Sequence, residues 1–369
     1  MSGLYIHIPF CRQKCRYCDF ASFAGAESQI DTYLDALEKE ASFYGGARFD
    51  TLYIGGGTPS LLSASQLERL CGLIERHFGP LAGFAESTLE ANPESVNAEK
   101  LHLLKEAGLN RLSLGLQSFD DDVLRRIGRI HDVSAFLSAY ELACKVGFEN
   151  ISVDLIAGLP GQTERMFLEG LKRLISLAPQ HISVYGLQIE EGTPFYRDGV
   201  QTDDELLRRE LEQTHCLLQQ AGFAHYEISN FARPGRQSRH NLNYWRNGEY
   251  LGLGAAAASY QNGTRRSNTV DLKQYIEQVQ AGCRPTDFCE TLTGPAKEGE
   301  QIMLGLRVLA GVPLTPCQQR LFAREITDLV SRGLLDQKKD IIKLTFEGLF
   351  LANQAFMAFV GPFEDKECK

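Results

Sequence analysis

Hydrophobic and polar residues alternate in short segments through the first half of the chain. In one segment Leu112, Leu114 and Leu116 alternate with Ser113 and Gln117. Successive side chains point to opposite faces of a strand, so the pattern predicts strands with one apolar and one polar face. Such strands are predicted to begin near Leu4, Thr51, Ser87, Arg111, Ile151, Ile182 and His225.

Helices are predicted between these strands from the signals at their ends. Ser63 and Gln66 have the spacing of a capping box, and Asn97 and Ser134 are expected to cap the next two helices. A glycine before an apolar residue closes many helices in the left-handed conformation. Three helices are expected to end in this way, at Gly108, Gly147 and Gly222. Repeated strand–helix units predict a parallel sheet with right-handed crossovers.

The polar faces of the strands indicate the type of α/β fold. A doubly wound sheet is covered by helices on both faces, so its strands are continuously apolar. A filled eight-stranded barrel has branched apolar side chains inside. The polar faces therefore favour a partial (β/α)6 TIM-like barrel of about six strands around a polar ligand. An antiparallel sheet with one wet face is the alternative, and the intervening helices disfavour it.

The second half of the chain predicts a different organisation. From Pro295 the pattern is helix, short helix, helix, a turn at residues 338–340, a strand from Ile341 to Phe346 and a final helix. This order resembles a winged helix, and its balanced charges suggest packing or substrate covering rather than DNA binding. The sequence thus predicts a partial-barrel core at residues 1–230, a connecting segment at 231–294 and a mostly helical, winged-helix-like domain at 295–369.

Composition narrows the class of protein. The formal net charge of −9 argues against general binding to nucleic acid or to anionic membranes. Ten cysteines without regular spacing suggest a reducing compartment. The sequence shows no signal peptide and no apolar stretch long enough to span a bilayer. We therefore expect a cytoplasmic protein without stable membrane insertion.

Three cysteines near the start of the chain are the strongest chemical signal. Cys11, Cys15 and Cys18 follow the first strand in C-x3-C-x2-C spacing, and no fourth Cys or His follows at a matching distance. Thiolates bind zinc or iron–sulfur clusters, usually with four protein ligands. Three thiolates can hold three irons of a cubane cluster and leave the fourth iron open. A zinc site completed by His7 or a remote residue, or three incidental buried thiols, are the alternatives.

The cysteine stretch resembles the signature of the radical SAM family. The resemblance implies a [4Fe-4S] cluster on Cys11, Cys15 and Cys18, with S-adenosylmethionine (SAM) on the open iron. An electron supplied by a donor protein would then cleave the sulfonium of SAM and release a 5′-deoxyadenosyl radical.

Further segments resemble the SAM contacts of one subfamily, oxygen-independent coproporphyrinogen III oxidase and its relatives. They include the glycine segment at residues 55–59, Glu90-Ala91-Asn92-Pro93 and the run from Asp154 to Pro160. On their own, the glycines would predict a tight turn and Arg129 a surface salt bridge. The resemblance implies SAM binding by Tyr5, Gly56, Gly57, Thr58, Glu90, Gln117, Arg129 and Asp154.

Two features favour the heme-chaperone branch of this subfamily over the oxidase branch. Phe20 occupies the position of a further oxidase cysteine, and residues 240–245 read H-N-x-x-Y-W. The resemblance implies heme contacts by His240, Asn241, Tyr244 and Trp245. A hydrogen-bonded loop histidine and a core tryptophan are the alternatives. The family's usual histidine before Ser259-Tyr260 is replaced by Ala258.

The resemblance therefore implies a heme chaperone that passes heme to acceptor proteins such as respiratory enzymes. The first alternative is oxidative decarboxylation of coproporphyrinogen III in heme biosynthesis. The second is a radical SAM reaction on an unrelated small substrate.

Overall fold

The computed structural model describes residues 1–361. The strands are β1 (Ser2–Ile8), β2 (Phe10–Cys11), β3 (Phe23–Ala24), β4 (Thr51–Gly56), β5 (Glu86–Ala91), β6 (Arg111–Gln117), β7 (Ile151–Ala157), β8 (His181–Gly186), β9 (Ala224–Glu227), β10 (Asn230–Ala232), β11 (Glu249–Leu253), β12 (Ala258–Gln261), β13 (Thr264–Asn268), β14 (Thr286–Thr291), β15 (Val312–Pro313), β16 (Leu335–Lys338) and β17 (Ile341–Leu344). The α-helices are α1 (Ile30–Ser42), α2 (Ala64–Phe78), α3 (Ala98–Glu106), α4 (Asp121–Arg126), α5 (Val133–Val146), α6 (Glu164–Ser176), α7 (Pro194–Arg197), α8 (Asp204–Gln220), α9 (Arg239–Trp245), α10 (Leu272–Gln280), α11 (Gly294–Gly305), α12 (Pro316–Leu321), α13 (Ala323–Ser331), α14 (Phe346–Phe350) and α15 (Ala352–Met357).

A twelve-stranded sheet organises most of the chain, in the order β14-β13-β12-β11-β1-β4-β5-β6-β7-β8-β10-β9. Six consecutive members, β1 and β4 to β8, pair in parallel and follow the predicted strands. In the part of the chain that the structure describes, the sheet ends at β14 and β9 and does not close into a ring. The predicted partial, six-stranded parallel arrangement is confirmed.

The two faces of the parallel strands differ as the sequence predicted. Leu4, Ile54, Leu114 and Val153 lie in the main hydrophobic core, together with buried residues of the surrounding helices such as Phe136. The opposite face carries polar side chains toward the inside of the partial barrel. This division leaves a polar interior lined from several neighbouring strands.

Most of the predicted helix ends are confirmed. Ser63 and Gln66 form a capping box, and Asn97 caps α3. The three terminal glycines have positive φ angles, at Gly108, Gly147 and Gly222. The amides of the apolar residues after them bond back to the helix carbonyls at 2.9–3.0 Å.

One predicted helix cap is wrong. Helix α5 begins at Val133, and the side chain of Asp132, not that of Ser134, accepts the Ala135 amide at 2.7 Å. Because the helix starts two residues earlier than expected, Ser134 lies inside its first turn, where its hydroxyl cannot act as the N-cap.

Residues 231–294 extend the main sheet on its other side. Strand β11 pairs in parallel with β1, and β12, β13 and β14 follow in antiparallel order. The helix α9 packs against β1, β4 and β11. The sequence did not predict these strands, although they place α9 over the polar interior.

Residues from α11 onward have a hydrophobic core of their own. It includes Ile302, Phe322, Ile326 and Phe359, and β15, β17 and β16 form a small antiparallel sheet beside it. The strand predicted to end at Phe346 ends at Leu344, because Thr345 caps the next helix. The division into three domains stays a prediction. None of the helices within residues 1–361 combines the length and apolarity needed to cross a bilayer.

Candidate functional site

Cys11, Cys15 and Cys18 lie on the short loop that follows β1. Cys11 is buried and the other two are half-buried, and the Cys18 amide donates to the Cys15 carbonyl at 3.2 Å. Burial raises the pKa of Cys18 to about 11, and the neighbouring Cys15 adds to the rise. The Thr58 hydroxyl donates to the Cys11 sulfur and the Arg129 guanidinium to the Cys15 sulfur, each at 3.6 Å. The three thiols therefore share one loop, and two sulfurs already accept hydrogen bonds.

These three thiols do not form a single-metal site in the part of the chain that the structure describes. Within residues 1–361, no three His, Cys, Asp or Glu side chains are grouped as ligands of a single metal ion. A cubane does not require such convergence, because each thiolate binds a different iron. His7 is the alternative zinc ligand that the sequence suggested. Both of its ring nitrogens form 2.8 Å hydrogen bonds, one with the Tyr5 hydroxyl and one with the Ala21 carbonyl. Its imidazole is thus already occupied.

The glycine segment at residues 55–59 begins at the end of β4 and packs along residues 8–10, just before the cysteine loop. The amides of Gly57 and Thr58 donate to the carbonyls of Ile8 and Phe10 at 2.9 and 2.8 Å. A Cβ atom on Gly57 would lie 2.7 Å from the Phe10 carbonyl oxygen, and Gly56 has a φ of +113°. The turn therefore packs closely against the backbone of residues 8–10 beside the cysteine loop, and a side chain at Gly57 is excluded.

Glu90 has a half-buried carboxyl group near the end of β5. Its two oxygens accept hydrogen bonds from the Tyr53 hydroxyl at 2.7 Å and from the Gly56 amide at 3.1 Å. Burial raises the pKa of Glu90 to about 7, and the charge of Asp154 adds to the rise. The site therefore holds a carboxyl group that titrates near neutral pH beside the glycine segment.

Arg129 is not the surface salt-bridge residue that its sequence context alone would suggest. Its guanidinium donates to the Asn92 side chain at 2.7 Å and to the Gly115 carbonyl at 3.0 Å. In the described part of the chain, no carboxylate lies within ion-pair distance of it. Arg129 thus brings to the cysteine loop a guanidinium that can fork onto a carboxylate ligand, and Glu94 and Asp154 are near enough to interact with its charge.

Asp154 and Gln117 lie on the neighbouring strands. Asp154 is buried and accepts a hydrogen bond from the Ser113 hydroxyl at 3.3 Å, and burial raises its pKa. Gln117 ends β6 in the left-handed region, with a φ of +71°, where the pairing with β7 shifts register. Seven of the eight residues compared with SAM contacts therefore come from β1, the glycine segment, β5, β6 and β7, and Arg129 comes from the loop between α4 and α5.

Replacing Glu90 by glutamine is expected to stabilise the cluster-free protein at pH 8 by about 1–3 kcal/mol. The Glu90 pKa is about 7 in the folded protein and ordinarily about 4.5, so the folded state holds this proton more tightly. Stability is consequently lost as the pH rises from about 4.5 to 7, and the loss is complete above pH 7. A glutamine oxygen can accept from the Gly56 amide while its NH2 donates to the Tyr53 hydroxyl, so both contacts remain without a buried charge.

Urea unfolding of wild type and E90Q at pH 4 and pH 8 measures this effect. The gain should be present at pH 8 and largely absent at pH 4, where both side chains are neutral. Glu40 also has a raised pKa of about 7, so only the difference between the two proteins is informative. An equal difference at both pH values would show that desolvation of Glu90 is not its cause.

His240 is buried in α9 with both ring nitrogens engaged. Nδ1 lies 2.9 Å from the Thr51 hydroxyl and Nε2 lies 2.7 Å from the Tyr244 hydroxyl. The ring stacks on Tyr53, with centroids 5.3 Å apart, and burial lowers the His240 pKa to about 3. This is the environment of a structural histidine. Heme ligation by His240 stays a prediction, and it would require one of these hydrogen bonds to break.

Glu86 supports α9 and was missed by sequence reasoning. Its carboxylate accepts the amides of Arg239 and His240 at 3.0 Å each, and the Ser238 hydroxyl at 3.4 Å. A negative charge favours a helix N-terminus because it interacts with the free amides and the helix dipole. Glu86 begins β5, more than a hundred residues before α9, so no local signal could have identified it.

A cavity of about 490 Å³ lies between the cysteine loop and α9. We call it the aromatic cavity, and its walls are Tyr5, His7, Phe20, Ala21, Gly56, Glu90, Tyr244, Trp245, Asn247, Tyr250, Ala256, Ala258, Arg265 and Leu304. Its volume is within the range of ligand pockets. Of the four residues compared with heme contacts, Tyr244 and Trp245 line it, whereas His240 and Asn241 do not. The sequence did not identify Tyr250, Arg265 or Leu304 as site residues. The first two lie on the unpredicted strands β11 and β13, and Leu304 reaches the cavity from α11.

Comparisons with known proteins match nearly the whole chain. The Radical SAM superfamily model matches residues 5–174. The heme chaperone HemW of Bacillus subtilis is 39% identical, over 98% of this chain and 100% of that protein. The heme chaperone HemW of Haemophilus influenzae is 42% identical, over 97% of both. The solved structure of coproporphyrinogen III oxidase (HemN) from Escherichia coli, a radical SAM enzyme, is 27% identical with a TM-score of 0.86, and the match covers 97% of this chain and 89% of that one.

Proposed function

Because the chain belongs to the radical SAM superfamily and to the family of the heme chaperones, we propose that it binds heme and delivers it to acceptor proteins. Respiratory enzymes are the acceptors that we expect. The main support beyond the family is one observation: the aromatic cavity lies next to the cysteine loop and is walled by Tyr244 and Trp245.

Membership in the radical SAM superfamily implies a [4Fe-4S] cluster and SAM. We propose that Cys11, Cys15 and Cys18 hold the cluster. When bound, the cluster would supply one electron to reduce the sulfonium of SAM, and a separate donor would provide that electron. The hydrogen bonds to two of the sulfurs, from Thr58 and Arg129, support this assignment, because donors to sulfur stabilise negative charge on the ligands.

The remaining residues of the site are proposed to bind and orient SAM. The backbone of the glycine segment can contact its methionine moiety, and Arg129 can pair with its carboxylate. Glu90 can accept hydrogen bonds from the ribose hydroxyls once it has lost its proton. The SAM-binding residues that we propose are Tyr5, Gly56, Gly57, Thr58, Glu90, Gln117, Arg129 and Asp154.

Heme is proposed to occupy the part of the aromatic cavity that faces α9. Tyr244 and Trp245 offer aromatic surfaces to a porphyrin, and the Tyr244 hydroxyl is held by His240. The indole of Trp245 is covered on another side by Arg307, whose guanidinium lies 4.2 Å from the ring centroid. Leu304 of α11 completes the wall, which agrees with a substrate-covering role for the C-terminal residues.

Oxidation of coproporphyrinogen III is the second candidate, favoured by the 0.86 TM-score to that oxidase. In this reaction the radical would abstract hydrogen from propionate side chains before carbon dioxide leaves. Anaerobic incubation of the reconstituted protein with coproporphyrinogen III, SAM and dithionite distinguishes the two. We expect heme binding without protoporphyrinogen formation. Catalytic formation of protoporphyrinogen would refute the chaperone proposal and support the oxidase.

A further inference from the structure

We propose that Tyr250 is the protein ligand of the heme iron in the aromatic cavity, and that Arg265 is the positioning residue that favours its phenolate form. This inference rests on the proposed heme binding. A ligand other than His240 is needed, because both ring nitrogens of this histidine are hydrogen-bonded.

The other ligand-type side chains on the cavity wall are already occupied. Tyr5 and His7 bond to each other at 2.8 Å, and the second ring nitrogen of His7 bonds to a backbone carbonyl. Both oxygens of Glu90 accept hydrogen bonds. The Tyr244 hydroxyl lies 2.7 Å from the imidazole of α9. Each of these groups is therefore already held by hydrogen bonds of 2.7–3.1 Å, and Tyr5 and Glu90 are also proposed to bind SAM.

Tyr250 differs from them in the partner of its oxygen. Within the described residues its hydroxyl has one hydrogen bond, a long one of 3.3 Å from the Arg265 guanidinium. A guanidinium can only donate, so the Tyr250 oxygen is the acceptor, and it keeps a lone pair for another partner. The phenol is half-buried and reaches the cavity next to Tyr244, whose ring centroid is 4.5 Å away.

Arg265 is fixed in place by several contacts. Its guanidinium forms an ion pair with Glu300 at 2.7 Å, donates to Asn247 at 3.4 Å and stacks over Tyr260 at 4.6 Å. Its position beside the Tyr250 oxygen is therefore set before any ligand enters. Burial raises the pKa of Tyr250, and the charge of Arg265 opposes this rise and so favours the phenolate.

The proposed bond joins the Tyr250 oxygen to ferric heme iron. The O–H bond of Tyr250 breaks, the proton leaves to water, and the oxygen donates a lone pair to ferric iron without any change in oxidation state. Tyrosine is a known axial ligand of heme iron. The negative phenolate also compensates the charge of the ferric porphyrin. Ala256 and Ala258 leave the neighbouring wall free of large side chains.

Ferric heme titration of the full-length protein tests the inference, using the Soret band for affinity and resonance Raman spectra for the ligand. The wild-type complex should show enhanced tyrosinate vibrations. We expect Y250F to lose these vibrations and to bind heme at least about tenfold more weakly. Y250H should recover affinity with the spectrum of an imidazole complex. The control Y260F, which keeps the ring under Arg265, should match the wild type.

The outcomes separate this inference from the proposed function. If wild type and Y250F bind heme with the same spectrum and affinity, the ligand assignment is overturned while heme binding stands. A histidine-type spectrum in the wild type would also overturn it. If the wild type binds no heme, the proposed function fails before the ligand question arises.

Discussion

Replacing Cys18 by serine is expected to remove the iron–sulfur chromophore while the chain still folds. Cys18 is half-buried on the cysteine loop, and its thiol is nearly isosteric with serine, so the fold loses little. A hydroxyl is a poor cluster ligand, and the two remaining cysteines cannot hold the same cubane. We expect bound iron and sulfide per chain to fall by at least about tenfold after anaerobic reconstitution.

The matched control for this variant is C216S. Cys216 is exposed on α8, away from the cysteine loop, and its replacement should leave iron content and the absorbance of the cluster unchanged. Circular dichroism should show the same helix content for both variants. Wild-type iron content in C18S would remove Cys18 from the proposed cluster ligands.

A methyl group at Gly57 is expected to lower the free energy of unfolding by about 2–4 kcal/mol. Its Cβ would lie 2.7 Å from the carbonyl oxygen and 2.9 Å from the amide nitrogen of Phe10, and 3.0 Å from the carbonyl oxygen of Ile8. All three are backbone atoms next to the cysteine loop, so they cannot rotate away as a flexible side chain could. The variant should also bind SAM more weakly, because relief of the clash moves the turn from the loop.

Urea unfolding of G57A and of the control G45A measures the effect on stability. A Cβ atom on Gly45 would have only ordinary contacts, the closest at 3.7 Å, so G45A should change stability by less than about 1 kcal/mol. Isothermal titration of reconstituted protein with SAM gives the second readout. Equal stability of both variants would contradict the close contact between the glycine segment and residues 8–10.

Local signals in the sequence were sufficient for much of the fold. The alternation in the first half placed the parallel strands, and the terminal glycines placed helix ends, because both depend on residues that are near neighbours. The cap of α5 shows the limit of this reasoning. Asp132 and Ser134 can both cap a helix, and only the position of the first turn decides between them.

The strands after α9 could not be predicted in the same way. Strand β11 contains Gly252, where a Cβ atom would lie 2.0 Å from the Ala258 carbonyl oxygen, and β14 is exposed along its whole length. Neither has the alternation of a half-buried strand. Strand β11 pairs with β1, almost 250 residues earlier, and β12, β13 and β14 follow β11 in the sheet. This arrangement brings Tyr250 and Arg265 to the aromatic cavity.

The candidate site was predicted by residue type, and its environment was not. The sequence could single out the H-N-x-x-Y-W segment, but it could not show that His240 lies inside a hydrogen-bonded cluster while Trp245 faces a cavity. Such a difference depends on which face of α9 packs against β1 and β4. Glu86, which binds the first amides of that helix, sets this orientation from a distant strand.

Heme titration of an A258W variant tests most directly whether the aromatic cavity is the heme site. The side chain of Ala258, at the start of β12, is exposed and lines this cavity, so a tryptophan there fills space with little effect on the core. The control D287W adds the same side chain on exposed β14, outside the cavity. If the aromatic cavity is the heme site, A258W should show no heme-induced Soret shift or bind heme at least about tenfold more weakly, and D287W should bind heme like the wild type. Wild-type heme affinity in a folded A258W would contradict it.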